Sequence, residues 1–421
     1  MTEAKLPCIL WSVTEPSEDP VGRREFLRWL AGSPLFAYLA SCELPDTAGQ
    51  IDVAAPSLDD LVASAADALD VFDLEKVARN TLPPAHWGYI QTGVDGEATY
   101  HNNRAGLERL YLRARRLVDV STLDTKVTLL GREWPTPIVV APAGSQRAFH
   151  PEGELATARA AQARNHLQAL STVSSTAVER VNEARGEPVW YQLYATKNWD
   201  VTQAVVRRVQ RAGCSVLVLT VDLPAGGNRL TLERWKRLDS RDCTACHTAG
   251  GVAPPIKPMY QGTSYRPSDF SAPGMTWEFI ARLRDITDMR IVVKGLVTGE
   301  DAELALRNGV DGVWVSNHGG RSEDSGRATV DALPEIASVV NKQVPVIVDG
   351  GFRRGSDIFK GLARGADAVA IGRPYLWGLG AFGQSGVERV LEMLLYELRM
   401  TMKLAGTPTL VDIGPSSIGG D

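Results

Sequence analysis

The chain has 421 residues, a formal net charge of −5 and 44% hydrophobic residues. The acidic balance and the absence of a basic run argue against a nucleic-acid partner. No stretch of about 18 uninterrupted apolar residues is present to span a membrane as a helix. The length exceeds one average domain, but α/β barrels take about 250 residues or more as a single unit.

The first segment reads as an address rather than as structure. Gly22-Arg23-Arg24-Glu25-Phe26-Leu27-Arg28 sets a twin arginine before a short apolar run, which leads to Leu39-Ala40-Ser41-Cys42. This pattern is that of a twin-arginine export signal ending in a lipoprotein cleavage box, with Cys42 as the lipidated residue. A basic amphipathic helix is the plainer alternative, but Ser33-Pro34 would break it midway. The expected division is a signal over 1–42, a linker over 43–69 and one catalytic domain over 70–415. Export implies a periplasmic or membrane-anchored protein; without it the protein is cytoplasmic.

From about residue 70 short apolar runs alternate with amphipathic segments. The runs cover 137–142, 169–173, 189–194, 216–222, 290–295, 312–317, 344–350 and 368–372. They are rich in Val and Ile and apolar on successive residues, the pattern of strands buried on both faces. Helical patterns over 153–164, 199–212, 299–308 and 355–363 fit between them. Eight such strands with crossovers predict a closed (β/α)8 barrel, preceded by a helical extension. Between 230 and 276 Gly, Pro and charged residues replace the alternation, giving a long loop after the fourth strand.

Polar residues at the C-terminal ends of barrel strands face the active site. In order these are Pro142, Ala143 and Gly144, then Ser171, then Gln192 and Tyr194, then Thr220 and Asp222, then Lys294. The sixth strand ends in Ser316-Asn317-His318-Gly319-Gly320-Arg321, the seventh in Asp349-Gly350-Gly351-Phe352-Arg353, and the eighth in Gly372-Arg373. Glycines with arginines after strands seven and eight suit a phosphate; the alternative is a pair of turns with solvated arginines. Lys294 needs an anionic partner if buried, and a negatively charged flavin ring would be one. His318 can take a proton near neutral pH, Asp222 can orient it, and Arg321 with Arg229 can grip a carboxylate.

At these residues the chain resembles the FMN-dependent α-hydroxy acid oxidases and dehydrogenases. The resemblance rests on Ser-Asn-His-Gly-Gly-Arg (316–321), Val-Lys-Gly (293–295) and Asp-Gly-Gly-Phe-Arg-Arg-Gly (349–355). It is extended by His-Pro-Glu-Gly-Glu (150–154), Gln-Leu-Tyr (192–194), Leu-Thr-Val-Asp (219–222) and Ile-Gly-Arg-Pro (371–374), so that it covers roughly 70–412. It implies FMN as cofactor and a small 2-hydroxy acid as substrate. His318 would be the base that removes a proton while two electrons pass to the flavin, with Asp222 as its partner. Arg229 and Arg321 would hold the substrate carboxylate, with Tyr89 and Tyr194 beside its carboxylate and hydroxyl. Lys294 would stabilise the reduced flavin, and Ser171, Gln192 and Thr220 would bond its edge. Asp349, Gly351, Arg353, Gly372 and Arg373 would hold the ribityl phosphate. Relatives are often tetramers, so a homo-oligomer is expected; oxygen, quinone and cytochrome all remain as electron acceptors.

Departures from the family bear on substrate. Gly144 stands where the family typically has Ala, Val173 where glycolate oxidases carry tryptophan, and Gly226 where they carry leucine. Three smaller residues suggest room for a bulky or aromatic 2-hydroxy acid. Ser322-Glu323-Asp324 replaces the usual Gln-Leu-Asp and puts acidity near the mouth. Other FMN-barrel reactions, or an electron carrier without turnover, are the competing functions; the intact His318, Asp222, Arg321, Arg229 and Lys294 set favours hydroxy acid oxidation.

The long loop carries Cys243-Thr244-Ala245-Cys246-His247, the attachment pattern for c-type haem, with Met259 as a conceivable distal ligand. The loop is about as long as in haem-free relatives, and a haem there would be uncovered. Twin-arginine substrates also fold before export, whereas haem attachment works best on an open chain. A disulfide or a metal at Cys243, Cys246 and His247 is the intermediate reading, and a loop without cofactor the plainest. Cys8 falls in the signal segment, and Cys214 precedes a buried strand.

Overall fold

In a computed structural model, residues 62–241 and 257–420 are described, and the eight apolar runs form eight parallel strands. These are β1 (Ile138–Val140), β2 (Leu167–Ser171), β3 (Trp190–Leu193), β4 (Val216–Thr220), β5 (Arg290–Leu296), β6 (Gly312–Val315), β7 (Val346–Val348) and β8 (Ala368–Ile371). They close into a barrel in chain order, with Ala370 of β8 paired to Val139 of β1. Apart from Arg290 and Gly295 of β5, every strand residue is buried, which is why the runs read as continuously apolar.

The alternation hidden in those runs separates two cores. Val139, Ala169, Val218, Val292, Trp314 and Ala370 point into the barrel and fill it. Their neighbours Val140, Leu170, Leu217, Val293, Val313 and Val369 point outward and pack under the helices. A hairpin of Val127–Leu129 and Arg132–Trp134 inserts Leu129 and Trp134 into the inner cluster. It precedes β1, so it closes the N-terminal end and leaves the C-terminal end open for the site.

Among the described residues, three helices before the barrel, Val71–Thr81, Pro84–Gln91 and Ala98–Arg109, form the expected extension. The first starts where Asp70 accepts the amides of Phe72 and Asp73 and Asp73 bonds back to Asp70, a capping box at its N-terminus. Packing begins earlier than the linker reading placed it, because Ala68 is buried and its carbonyl accepts Arg389. Within the segment read as a long loop, residues Leu230–Arg237 form a helix. Only Leu232 of it is buried, and its eight residues are too few to stand out as a helical pattern among the charged residues around them.

The twin-arginine run, Cys8 and Cys42 lie outside the described residues, as do Cys243, Cys246 and His247. Among the described residues no helix is long and apolar enough to cross a membrane. Met259, considered above as a haem ligand, is fully buried, and its sulfur accepts the Val178 amide at 3.4 Å. Its surroundings are those of a packing residue. Cys214 is buried too, and burial pushes its thiol up to about 11.

Candidate active site

A cavity of about 600 Å3 opens at the C-terminal end of the barrel. Pro142, Ala143, Gly144, Ser171, Thr220 and Lys294 line it from the first five strands. His318, Arg321, Asp349, Gly351, Arg353, Gly372 and Arg373 line it from the last three, and Tyr89, Tyr194 and Arg229 complete the wall. Asp222, Gln192 and Ser316 stand one layer behind, each bonded to a residue that faces the cavity.

His318 sits just past β6 with a left-handed φ of 59°. A side chain tolerates that conformation only when its surroundings enforce it. Its amide donates to Ser316 Oγ at 3.0 Å, and its Nδ1 lies 2.9 Å from Asp222 Oδ1. Burial pushes the Asp222 carboxyl up, but His318 and Lys294 outweigh it and hold it below the ordinary carboxylate value. Asp222 is therefore ionised and can only accept, so Nδ1 carries the proton and Nε2 keeps a lone pair. Burial lowers the His318 pKa below its usual value, with Asp222 opposing that shift. The ring is thus neutral at neutral pH, with its basic nitrogen 3.2 Å from the Tyr194 hydroxyl. Burial pushes the Tyr194 phenol far up, so that hydroxyl stays protonated and donates.

Beside the base lies a group prepared for an anion. Arg321 has Nε and Nη2 buried without a hydrogen-bond partner. Its guanidinium lies 4.5 Å over the Tyr89 ring, and that of Arg229 lies 5.7 Å from the same ring. Burial, helped by Arg229, pulls Arg321 down to about 9. Burial pushes the Tyr89 phenol up, but Arg321, Arg229 and Lys257 outweigh it and hold it below its ordinary value. Two cations crowded in a half-buried wall are relieved by a carboxylate between them.

Lys294 has an anionic partner within the protein. Its Nζ lies 3.1 Å from Asp349 and 2.5 Å from Ser316 Oγ, and the Ser316 hydroxyl donates to Asp349 at 2.8 Å. Asp349 also accepts Trp314 Nε1 at 2.9 Å. Its carboxylate is therefore engaged with Lys294, and like charge would keep it from a phosphate. The phosphate assignment falls instead to its neighbours. Backbone φ values of 108° and 87° at Gly350 and Gly351 require glycine, and a Cβ on Gly351 would lie 2.3 Å from the Asn103 carbonyl. A Cβ on Gly372 would meet nothing within 4 Å and would stand in the cavity. Burial pulls both Arg353 and Arg373 down to about 10. Arg373 has a second task, donating to the carbonyls of Ile90, Thr92 and Gly319.

The residues present suit FMN on these grounds. The Thr220 hydroxyl and Gln192 Nε2 are buried without partners beside Ser171, giving polar atoms for a ring edge. The glycine-lined end with two buried guanidiniums suits its phosphate.

Two readings of the substrate end change. Gly144 does not add room of its own, because a Cβ there would lie 2.5 Å from Val173 Cγ2 and the valine already fills that space. The room rests on Val173 itself and on Gly226, where nothing lies within 4 Å of an added Cβ. The acidity of Asp324 is spent on the helix Ala98–Arg109, because its carboxylate accepts the amides of Gly96 and Thr99 at 2.9 and 2.8 Å. Sequence reasoning missed Phe270, which lines the mouth with its ring 5.9 Å from that of Tyr194. It also missed Asn103, whose side chain meets Asn317 next to the base. Neither lies at a barrel strand end, so strand position could not flag them.

Comparison with known proteins places this geometry. Residues 78–419 match the FMN-dependent dehydrogenase family. The peroxisomal (S)-2-hydroxyacid oxidase GLO3 of Arabidopsis thaliana is 39% identical over 352 residues, covering 82% of this chain and 94% of that protein. The L-lactate oxidase of Lysinibacillus sphaericus is 40% identical over 360 residues, covering 80% and 89%. A crystal structure of mandelate oxidase with (S)-2-phenylpropionate superposes with a TM-score of 0.73 at 36% identity, covering 84% of this chain and 98% of that one. With the barrel, the neutral histidine and the paired cations already in place, the chain belongs to the FMN-dependent dehydrogenase family and is an FMN-dependent oxidoreductase.

Proposed function

We propose that the enzyme oxidises an L-2-hydroxy acid to the 2-oxo acid, with His318 as base, and that it accepts substrates bulkier than glycolate. One observation carries the reading: a half-buried imidazole, tied to Asp222 at Nδ1 at 2.9 Å, shares a cavity with Arg321, whose Nε and Nη2 are buried without a hydrogen-bond partner. A carboxylate held by Arg321 and Arg229 brings the adjacent carbinol carbon and hydroxyl to the Nε2 side of His318. Tyr194 donates to the substrate oxygen there. As His318 takes the proton, Asp222 stabilises the imidazolium that forms. FMN, when bound, supplies the two-electron oxidation.

The bulk of the substrate follows from the wall. Val173 and Gly226 leave space, and Phe270, Met275 and Leu223 make its outer surface apolar. The similarity to a mandelate oxidase supports this reading alongside that wall. Steady-state turnover of the holoenzyme with L-mandelate, L-lactate and glycolate tests it. The expected order of kcat/KM puts mandelate first. Glycolate ahead of mandelate would discard the enlarged pocket, and no turnover with any of the three would discard the reaction.

A further inference from the structure

His318 is the non-glycine member of three successive residues with positive φ: 59° at His318, 68° at Gly319 and 76° at Gly320. Holding a histidine there is strained, so the loop must be enforced from outside. Ser316 Oγ holds the His318 amide, Arg373 the Gly319 carbonyl and the Val94 amide the Gly320 carbonyl, and the side-chain amide of Asn317 ties the end of the loop to its start. Asn317 Oδ1 accepts the Gly320 amide at 3.1 Å, and Nδ2 donates to the Arg327 carbonyl at 3.1 Å. The two remaining capacities of that amide go to one residue, Asn103. Asn103 Nδ2 donates to Asn317 Oδ1 and Asn317 Nδ2 donates to Asn103 Oδ1, both at 2.9 Å.

Neither amide can turn over. Gly320 N and Arg327 O fix Asn317, and the Thr329 amide, donating to Asn103 Oδ1 at 3.1 Å, fixes Asn103. Both side chains are buried, at 2% and 1% exposure, so water offers no replacement partner. Asn103 lies in the middle of the helix Ala98–Arg109, which Asp324, Thr99 and Asn102 fasten to the same loop beyond β6.

We infer that Asn103 is a positioning residue for catalysis: it sets the backbone that aims His318 Nε2 at the substrate, from a helix outside the barrel. This rests on His318 being the base. Asn103 touches neither the imidazole nor the cavity, and it acts through Asn317. At the phosphate end its backbone carbonyl and Cβ back Gly351, contacts that alanine keeps, while its Oδ1 also faces Gly350. Asn103→Ala should therefore slow the base far more than it weakens cofactor binding.

The test is a double-mutant cycle on the FMN-loaded enzyme. Anaerobic flavin reduction is followed with the faster of L-mandelate and L-lactate, and FMN affinity by recovery of flavin fluorescence on dissociation. Asn103→Ala should slow reduction by about 10- to 100-fold, the scale of a misplaced reacting group, with FMN affinity within about threefold. In the His318→Gln background the same change should add less than about threefold, because the residue being positioned is already gone. Asn103→Asp provides a second route if the alanine variant folds poorly. It keeps an acceptor for Thr329 and sets oxygen against Asn317 Oδ1, so the same cycle should show the same coupling. Equal losses in both backgrounds, or no loss in either, overturn the positioning role while His318 stands. A His318→Gln enzyme that reduces its flavin at the normal rate removes the base, and this proposal with it.

Discussion

His318 and Asp222 make one unit whose behaviour can be worked out from charge. Burial holds the imidazole below its free value, and the Asp222 carboxylate partly restores it. Catalysis by a base requires the neutral ring, so activity is lost as pH falls through the His318 pKa, on the acid side of 6.5. Asp222→Asn removes the restoring charge. The acid limb of kcat/KM should then move to lower pH, while the plateau rate drops by about 100-fold or more because the imidazolium loses its counter-charge. A limb that moves upward would show that Asp222 does not act electrostatically on His318. The pocket makes a second residue-scale prediction. Val173→Trp enlarges a side chain that lines the cavity, so it should depress kcat/KM for mandelate at least about tenfold more than for lactate. Equal depression would take Val173 out of the selectivity.

Much of this was readable at the level of residues, because each strand-end side chain announces itself as polar after an apolar run. His318, Arg321 and Asp222 fall into that class. What stayed hidden were pairings set by tertiary approach. That Asp349 neutralises Lys294, or that Val173 fills the side-chain space of Gly144, depends on neighbouring strands and loops meeting at a given register.

Among elements, the eight strands were legible because burial on both faces leaves each run apolar throughout. The helix Leu230–Arg237 was not, since eight residues with one buried leucine are too short a run to declare a period. Nor was the part played by Ala98–Arg109. Its N-terminus is capped from far along the chain by Asp324, whose carboxylate accepts the Gly96 and Thr99 amides. No local pattern could show that bond. Asp324→Ala should lower stability by about 1 kcal/mol, as loss of a helix cap does. Chemical denaturation of the holoenzyme checks this, and an unchanged midpoint would mean that the helix is held by its packing alone.

For the whole molecule, the barrel puts chemistry at one end and closure at the other, and the closed end carries a pH liability. His166, just before β2, is buried with Nδ1 3.1 Å from the Ile138 carbonyl, and burial drops its pKa to about 4. The unfolded chain binds that proton near 6.5, so between 6.5 and about 4 it holds more protons than the folded one. The contribution is complete above 6.5 and is lost as pH falls toward 4, by about 3 kcal/mol at most. Between pH 7.5 and 5, wild type should lose about 2 kcal/mol more unfolding free energy than His166→Gln. Parallel losses would show that His166 titrates normally in the fold.

The central claim is that His318 removes the substrate proton. It is tested most directly by anaerobic rapid mixing of L-mandelate or L-lactate with FMN-loaded wild type and His318→Gln. The account predicts that wild type loses its flavin absorbance, while the variant retains FMN and is reduced about 100- to 10,000-fold more slowly. Reduction of the variant at near the wild-type rate would contradict it.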